Sequence, residues 1–533
     1  MRFDRDEMVD RLATEQFDVL VIGGGITGVG TALDAATRGL KTALVERGDF
    51  ASGTSSKSSK LIHGGLRYLQ QGDVRLVYEA LRERQRLLRN APHLVSVLPF
   101  LIPVLSKDGP VSNKIAKALR SALWMYDVTG GLRIGKRHQR LNAAEALAHC
   151  PTMPAERLSS GFVYYDASAD DARLTLTIAR TAASHGAVVA NRCNVVALTK
   201  NSDGKATGAI IDTGDGQVTV QARVVVSAAG VWTDEVKSLD SGAVSDSMRP
   251  AKGVHITIPW ALVGNDIAVI IYVPKDRRSL FLIPWRDRPD GPFQHCYVGT
   301  TDTDFAGSTD APHTNDDDLD YIINALNHTL TTTITRDDVT GSWAGLRPLV
   351  KVAASARTAD LSRRHQITES ESGVITVIGG KLTTYRQMAE DTIDVVIKRL
   401  DRSGRCTTRR LKLADADRPA ALQELIALDA SLAEPLIPGL GSVRAEAVFA
   451  ARHEMATTLI DVLTRRTRAH LRDRAACLAA APAVAQLLAI ELGWTPSQID
   501  TEIADYESLC ASEIAAQSQP DARHAQLSED LPG

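Results

Sequence analysis

Asp18-Val-Leu-Val-Ile-Gly-Gly-Gly-Ile-Thr-Gly28 decides the fold. Asp18 to Ile22 is an apolar run of the kind found in a parallel strand buried on both faces. Gly23, Gly25 and Gly28 follow in G-x-G-x-x-G spacing. Thr27 to Arg38 reads as a helix with Gly39 just past its end. A second strand, Thr42-Ala-Leu-Val-Glu46, ends in an acid.

Each piece has a physical task. Gly23 allows the tight turn, Gly25 lets the backbone approach a pyrophosphate, and Gly28 lets helix and strand pack closely. The helix N-terminus offers unsatisfied N–H groups and positive partial charge to phosphate. Glu46 would accept hydrogen bonds from ribose hydroxyls. A lone glycine fingerprint is weak. A strand before it, a helix after it and an acid in place make it a dinucleotide site.

The fingerprint does not separate NAD from FAD, so the next stretch matters. Arg47 to Lys60 is a small, hydroxyl-rich loop that cannot be core. It runs into Leu61-Ile-His-Gly-Gly-Leu-Arg-Tyr-Leu69 and then a helix from about Val74 to Arg89. The plain alternative is a flexible Ser-rich linker, but strand and helix bracket the loop tightly. Thr54, Ser55, Ser58 and Lys60, with Gly64 and Gly65, would wrap pyrophosphate and flavin. His63, Arg67 and Tyr68 would face a ligand.

Ile22 to Gly28, Thr54 to Leu69 and several later motifs together resemble the FAD-dependent glycerol-3-phosphate dehydrogenases. The resemblance runs from about Phe17 to about Asp473. Ser-Ser-Lys-Leu-Ile-His-Gly-Gly-Leu-Arg-Tyr is its most specific segment. It implies an α/β, two-domain FAD-dependent oxidoreductase: a Rossmann-like FAD domain, a β-rich substrate domain and a C-terminal helical domain. It implies oxidation of sn-glycerol 3-phosphate to dihydroxyacetone phosphate, hydride passing from C2 to flavin N5. Electrons would leave to a membrane quinone.

Length and composition set the bounds. A chain of 533 residues points to two or three domains. With 61 basic and 64 acidic residues, global charge favours no polyanionic partner, and no nucleic acid is expected. The six cysteines are scattered without a C-x-x-C, which suits a reducing cytoplasm and no metal site. The N-terminus lacks an apolar signal core. No apolar run of about 20 residues is evident, so no spanning helix is expected.

The domain boundaries expected are 1–105, 165–250 and 335–402 for the FAD domain, 106–164 and 251–334 for the substrate domain, and 403–516 for the helical domain. Residues 517–533 read as a disordered tail. Val97 to Leu105 reads as a strand broken by two prolines, hence an edge or connector. Asn113 to Tyr126 reads as a helix with Ile115, Leu119, Ala122, Leu123 and Tyr126 on one side. Lys107, Lys114, Lys117, Arg120, Arg133, Lys136, Arg137 and Arg140 crowd around it. Two readings stand: a solvated basic face, or a stretch lying on anionic lipid. The resemblance favours the second, with the enzyme on the inner face of the cell membrane. A homodimer is expected.

Gln221 to Gly230 reads as a strand returning to the dinucleotide sheet, Ala229 and Gly230 giving the cofactor close backbone approach. Residues 250–335 read as β-rich with a helix over Asp316 to Thr329. Gly341 to Leu349 and Val374 to Arg386 are expected back in the FAD domain. There Gly380, Leu382 and Thr383 would meet the flavin. A helix N-terminus at that point stabilises the reduced flavin anion by about 0.3–1 kcal/mol. His453 to Arg468 reads as a helix closed by Arg465, Arg466 and Arg468.

Oxidising a secondary alcohol needs its carbon over the flavin, a base for the hydroxyl proton and cations for the phosphate. Arg67, Arg347 and Lys381 sit beside glycines in predicted loops, as such cations would. The resemblance carries Arg67, Tyr68, His255, Thr300, Arg347 and Lys381 over as substrate-pocket residues. His255 is the first candidate base, taken at its ordinary pKa, and His63 its competitor. No flavin-linking signature stands out, so FAD is expected non-covalently bound. The closest alternative is a glycerol-3-phosphate oxidase making hydrogen peroxide. More distant ones are an amine or amino-acid oxidase and a non-catalytic flavin scaffold.

Overall fold

The computed structural model describes residues 3–66, 74–105, 113–131, 134–273, 278–288, 291–351 and 365–519. Arg67, Tyr68, Lys107, Arg133 and most of the expected tail lie outside the described residues.

Strand Gln16–Ile22 is the centre of an eight-stranded sheet. It pairs in parallel with Thr42–Val45 on one side and Gln217–Ser227 on the other. Val19, Leu20 and Val21 are fully buried, as two covered faces require. Six strands run in the order Gln366–Glu369, Ile375–Ile378, Gln217–Ser227, Gln16–Ile22, Thr42–Val45, Val188–Ala190, and Ala206–Asp212 branches off Gln217–Ser227 with Asn194–Lys200 beside it. Helices Ile26–Thr37, Asp171–Ser184 and Tyr385–Arg399 pack beside it. Gln16–Ile22, Gln217–Ser227 and Ile375–Ile378 run parallel, so Gly23, Ala228 and Gly379 emerge at one edge. That edge is where open α/β sheets bind ligands.

The second sheet has ten strands. Eight run in the order Thr303–Asp304, Ala251–Pro259, Phe293–Gly299, Ser279–Arg286, Ala268–Tyr272, Ser96–Leu105, Leu158–Ser168, Leu61–Ile62, with Gly341–Arg347 branching off Ala251–Pro259 and Gln139–Asn142 off Leu158–Ser168. Two expectations are corrected here. Ser96–Leu105 is an interior strand, not an edge. Its register with Ala268–Tyr272 covers only Phe100 and Leu101, between Pro99 and Pro103, so neither ring need join that ladder. Gly341–Arg347 belongs to this sheet, pairing along Ala251–Thr257, and not to the FAD domain. One face packs Val254, Ile256, Leu280 and Leu282 against Leu319, Ile322 and Leu326 of helix Asp316–Thr329. The other packs Phe100, Ile102, Tyr164 and Trp343 with Leu119, Leu123 and Tyr126. Leu119, Leu123 and Tyr126 of helix Asn113–Tyr126 are therefore core, while the side chains of Lys114, Ile115 and Lys117 lie outside the described residues.

The C-terminal part is helical, with helices Arg418–Leu428, Arg444–His453, Arg474–Leu492 and Pro496–Ala516. His453 to Arg468 is not one helix. The chain breaks at Met455, which has φ +51°, and resumes as a short π-helix, Asp461–Arg466. Arg465, Arg466 and Arg468 do not close a solvated helix end. They are ion-pair partners of Asp49, Asp170 and Asp171 that dock this part on the first domain, Arg466 and Arg468 buried and Arg465 half-buried. Arg474–Leu492 is, among the described residues, a helix long and apolar enough to cross a membrane by length and composition, against expectation. Its Cys477, Ala481, Ala485 and Leu488 are buried in the core of the helical domain.

Candidate functional site

The glycines shape a cleft at the edge of the first sheet. Gly23 has φ +112°, and a Cβ there would lie 2.7 Å from the Ala228 carbonyl oxygen. A Cβ on Gly28 would lie 1.8 Å from the Gly23 carbonyl oxygen, so Gly28 acts by packing. Gly25 is the N-cap of helix Ile26–Thr37 and offers no capping side chain. The Ile26 N–H donates instead to Ser55 Oγ at 2.9 Å, tying the hydroxyl-rich loop to the helix end. Glu46 accepts from the N–H groups of Gly24 at 2.6 Å and Gly48 at 2.8 Å. Burial raises its pKa while those donors pull the other way.

Of the expected cofactor residues, Gly23, Gly25, Glu46, Thr54, Ser55, Ala229, Gly230, Gly380 and Leu382 line the cleft, with Lys381. Gly28, Ser58, Lys60, Gly64, Gly65 and Thr383 do not. Ser58 donates to Asp171 through N at 2.9 Å and Oγ at 2.7 Å. Lys60 Nζ lies 3.5 Å from Asp171 and 4.3 Å over the Trp343 ring. Burial and the neighbouring Arg468 bring its pKa down to about 8. These two side chains anchor the loop rather than face the cleft. A bare helix N-terminus, a strand-end acid and a second glycine turn at Gly379–Gly380 fit a dinucleotide cofactor.

A second cluster sits on the neighbouring sheet. His255 lies between Gly299 and Trp343 on the flanking strands. Its ring stacks on Trp343 at 4.9 Å, and Nε2 is 2.8 Å from Ser59 Oγ. Nδ1 is buried with no hydrogen-bond partner among the described residues. Burial, then the charges of Lys60 and Arg347, hold its pKa well below 6.5. This corrects the expectation of an ordinary histidine: the imidazole is a neutral acceptor. Arg347 Nη1 donates to Asp302 Oδ1 at 2.9 Å, and Nη2 to Thr300 Oγ1 at 3.2 Å. A Cβ on Gly253 would come within 2.6 Å of both Arg347 Nη2 and Thr300 Oγ1, so that glycine makes room for the pair. Lys381 is the N-cap of the short helix Leu382–Thr384. The His63 N–H donates to Thr383 Oγ1 at 3.1 Å.

Sequence reasoning missed several partners. Asp302 holds the Arg347 fork, and its only signal is the polar Thr300-Thr-Asp302 run after a strand. Asp171 gathers Ser58 and Lys60 of one loop and Arg468 from far along the chain. At the cleft mouth the Arg47 guanidinium stacks 4.4 Å over Trp232 and pairs with Glu235 and Asp310. The Trp232 indole N–H donates to Asp310 at 2.8 Å. No local pattern signals Asp310.

A family model described as FAD dependent oxidoreductase matches residues 18–386. Another, described as C-terminal domain of alpha-glycerophosphate oxidase, matches residues 404–499. The chain is 39% identical to glycerol-3-phosphate dehydrogenase 2 of Mycobacterium tuberculosis, over 96% of this chain and 91% of that one. It is 36% identical to the mitochondrial glycerol-3-phosphate dehydrogenase of Rattus norvegicus, over 92% of this chain and 72% of that one. A crystal structure of glycerol-3-phosphate dehydrogenase from Bacillus halodurans complexed with FAD superposes with TM-score 0.73. That match is 30% identical and covers 97% of this chain and 98% of that one.

Proposed function

Because this chain belongs to the FAD-dependent glycerol-3-phosphate dehydrogenase family, we propose that it oxidises sn-glycerol 3-phosphate to dihydroxyacetone phosphate. Non-covalent FAD, bound through Gly23, Gly25, Glu46, Ser55, Gly230 and Gly380, supplies the hydride acceptor for C2. The observation that carries this reading is the cluster of neutral His255, Arg347, Asp302 and Thr300 on the sheet beside a dinucleotide cleft.

These residues divide the work. Arg347, oriented by Asp302 and Thr300, holds the substrate oxyanion or phosphate, with Lys381 from the cleft side. His255, neutral and held 2.8 Å from Ser59 Oγ through Nε2, is the acceptor for the C2 hydroxyl proton. Burial first, then Lys60 and Arg347, disfavour a charged imidazole in the free protein. A bound phosphate dianion offsets those charges, so substrate arrival raises the basicity of the imidazole when it is needed.

Electrons then leave to a membrane quinone. Support comes from the outer face of helix Asn113–Tyr126 and the turn after it. Trp124 is 64% exposed, Val128 52% and Met125 45%. Arg120, Lys136, Arg137 and Arg140 are exposed nearby. Apolar tips among cations suit peripheral contact with the anionic inner face of a cell membrane.

Steady-state oxidation of glycerol 3-phosphate with a soluble quinone tests the reading. Quinone reduction without peroxide is expected. Hydrogen peroxide formed in air at the full rate would make the protein an oxidase. Turnover with neither acceptor would remove the substrate assignment.

A further inference from the structure

We propose that Tyr126, Asp166 and Arg84 are positioning residues that fix the His63–Gly64 backbone behind the Gly379–Leu382 wall of the cofactor cleft. The inference rests on a flavin in that cleft, and not on the substrate assigned above.

All three side chains are buried: Arg84 is 0% exposed, Tyr126 1% and Asp166 2%. Their hydrogen bonds converge on one main-chain group. The Gly64 N–H donates to Asp166 Oδ1 and to the Tyr126 hydroxyl oxygen, each at 3.1 Å. Tyr126 donates to the same Asp166 oxygen at 2.7 Å, and Arg84 Nη1 at 2.5 Å. Arg84 is held in turn by the carbonyl oxygens of Tyr165 at 2.8 Å and Gly130 at 3.2 Å. A side chain at position 64 would destroy this. A Cβ on Gly64 would lie 2.5 Å from the Tyr126 hydroxyl and 2.3 Å from Leu81.

A buried ion pair costs desolvation that apolar packing would avoid. Packing alone therefore gives no reason for Arg84 and Asp166. Aiming a charged oxygen at one main-chain N–H does. The other end of the same dipeptide is gripped from the dinucleotide side. The His63 N–H donates to Thr383 Oγ1 at 3.1 Å, and that hydroxyl donates to the His63 carbonyl at 3.3 Å. Thr383 follows Lys381 and Leu382, which line the cleft. His63–Gly64 thus spans from the second sheet to the glycine turn of the first, and the buried trio sets where it lies.

The test uses the FAD-loaded protein carrying Tyr126→Phe, which deletes one hydroxyl and keeps the ring packing. Leu123→Ala serves as control, loosening the same apolar cluster without touching Gly64. Visible circular dichroism and the midpoint potential of the bound flavin are read without substrate, then kcat and KM. Tyr126→Phe should change the flavin bands or potential and lower kcat by about threefold to tenfold, the worth of a hydrogen bond. Leu123→Ala should lower Tm and leave the flavin signals as they were. Loss of FAD loading in Tyr126→Phe alone counts the same way. Wild-type flavin bands and potential in Tyr126→Phe, or the same flavin change in both variants, would overturn the proposal. Failure of glycerol 3-phosphate to reduce the flavin would leave these readouts intact, so the two ideas fail separately.

Discussion

Replacing Glu454 by Gln should loosen the helical domain from the first domain in a pH-dependent way. Glu454 is fully buried where the two meet. Its carboxylate accepts from Arg173 and, at 3.3 Å, from Arg418, with Arg466 at 3.7 Å and Arg180 at 3.8 Å. Arg173 and Arg180 lie on helix Asp171–Ser184 of the first domain. Burial pushes the carboxyl upward, and Arg173, Arg418 and Arg466 outweigh it, carrying the pKa from 4.5 to about 2. That displacement corresponds to about 3 kcal/mol in favour of the charged, docked form. A depressed folded-state pKa makes the contribution complete above about pH 4.5 and lost as pH falls toward about 2. Hydrogen exchange of residues 454–472 reads the opening equilibrium. At pH 7 the Gln variant should lose roughly 100-fold of protection, and near pH 3 only about tenfold. A gap that stays constant with pH, or one below about threefold at pH 7, would refute the electrostatic origin of the docking.

Other substitutions probe the site itself. His255→Ala should keep FAD and slow flavin reduction by substrate at least about 100-fold; near-normal bleaching in stopped flow removes His255 as base. Since burial, Lys60 and Arg347 keep His255 neutral, the wild-type kcat/KM, once corrected for the second ionisation of the substrate phosphate near about 6, should stay flat from about pH 8 to about pH 6, and a residual fall centred on about 6.5 would contradict this. Gly28→Ala places a Cβ 1.8 Å from the Gly23 carbonyl oxygen and should yield protein without FAD, whereas a normal flavin-to-protein absorbance ratio would speak against the glycine's packing role. Arg347→Lys breaks the fork shared by Asp302 and Thr300 and should raise KM for glycerol 3-phosphate at least about tenfold. An unchanged KM would place the anion elsewhere.

Local signals in the sequence carried far, and non-local ones did not. The strand, glycine turn and helix from Gln16 to Thr37 are specified by adjacent residues, so their reading needed no partner. Helix Asp316–Thr329 was bounded by its acidic first turn, and Asn315 with Asp318 completes a capping box there. Which sheet a strand joins depends on distant residues. The prolines of Ser96–Leu105 suggest an edge, yet it pairs with Leu158–Ser168 on one side and, at Phe100 and Leu101, with Ala268–Tyr272 on the other. Gly341–Arg347 looked like a return to the dinucleotide fold because of its glycines, yet Gly345 is small to pass Lys57 and pairs with Gly253. The candidate site shows the same division. Arg347 stands out by its place beside Gly345 and His255 by its place in a β-rich stretch, whereas Thr300 comes only from the family resemblance. Asp302, Asp171, Asp49 and Glu454, which set their charge and hold the parts together, are ordinary acids until the fold brings arginines to them.

The most direct measurement is anaerobic. The purified, FAD-loaded protein is mixed with glycerol 3-phosphate, with glycerol and lactate as controls, and the flavin absorbance at about 450 nm is followed. Bleaching by the phosphate ester alone is the predicted result, fixing substrate class and reaction direction together. A flavin that stays oxidised with glycerol 3-phosphate would contradict the dehydrogenase assignment and with it the roles given to His255 and Arg347.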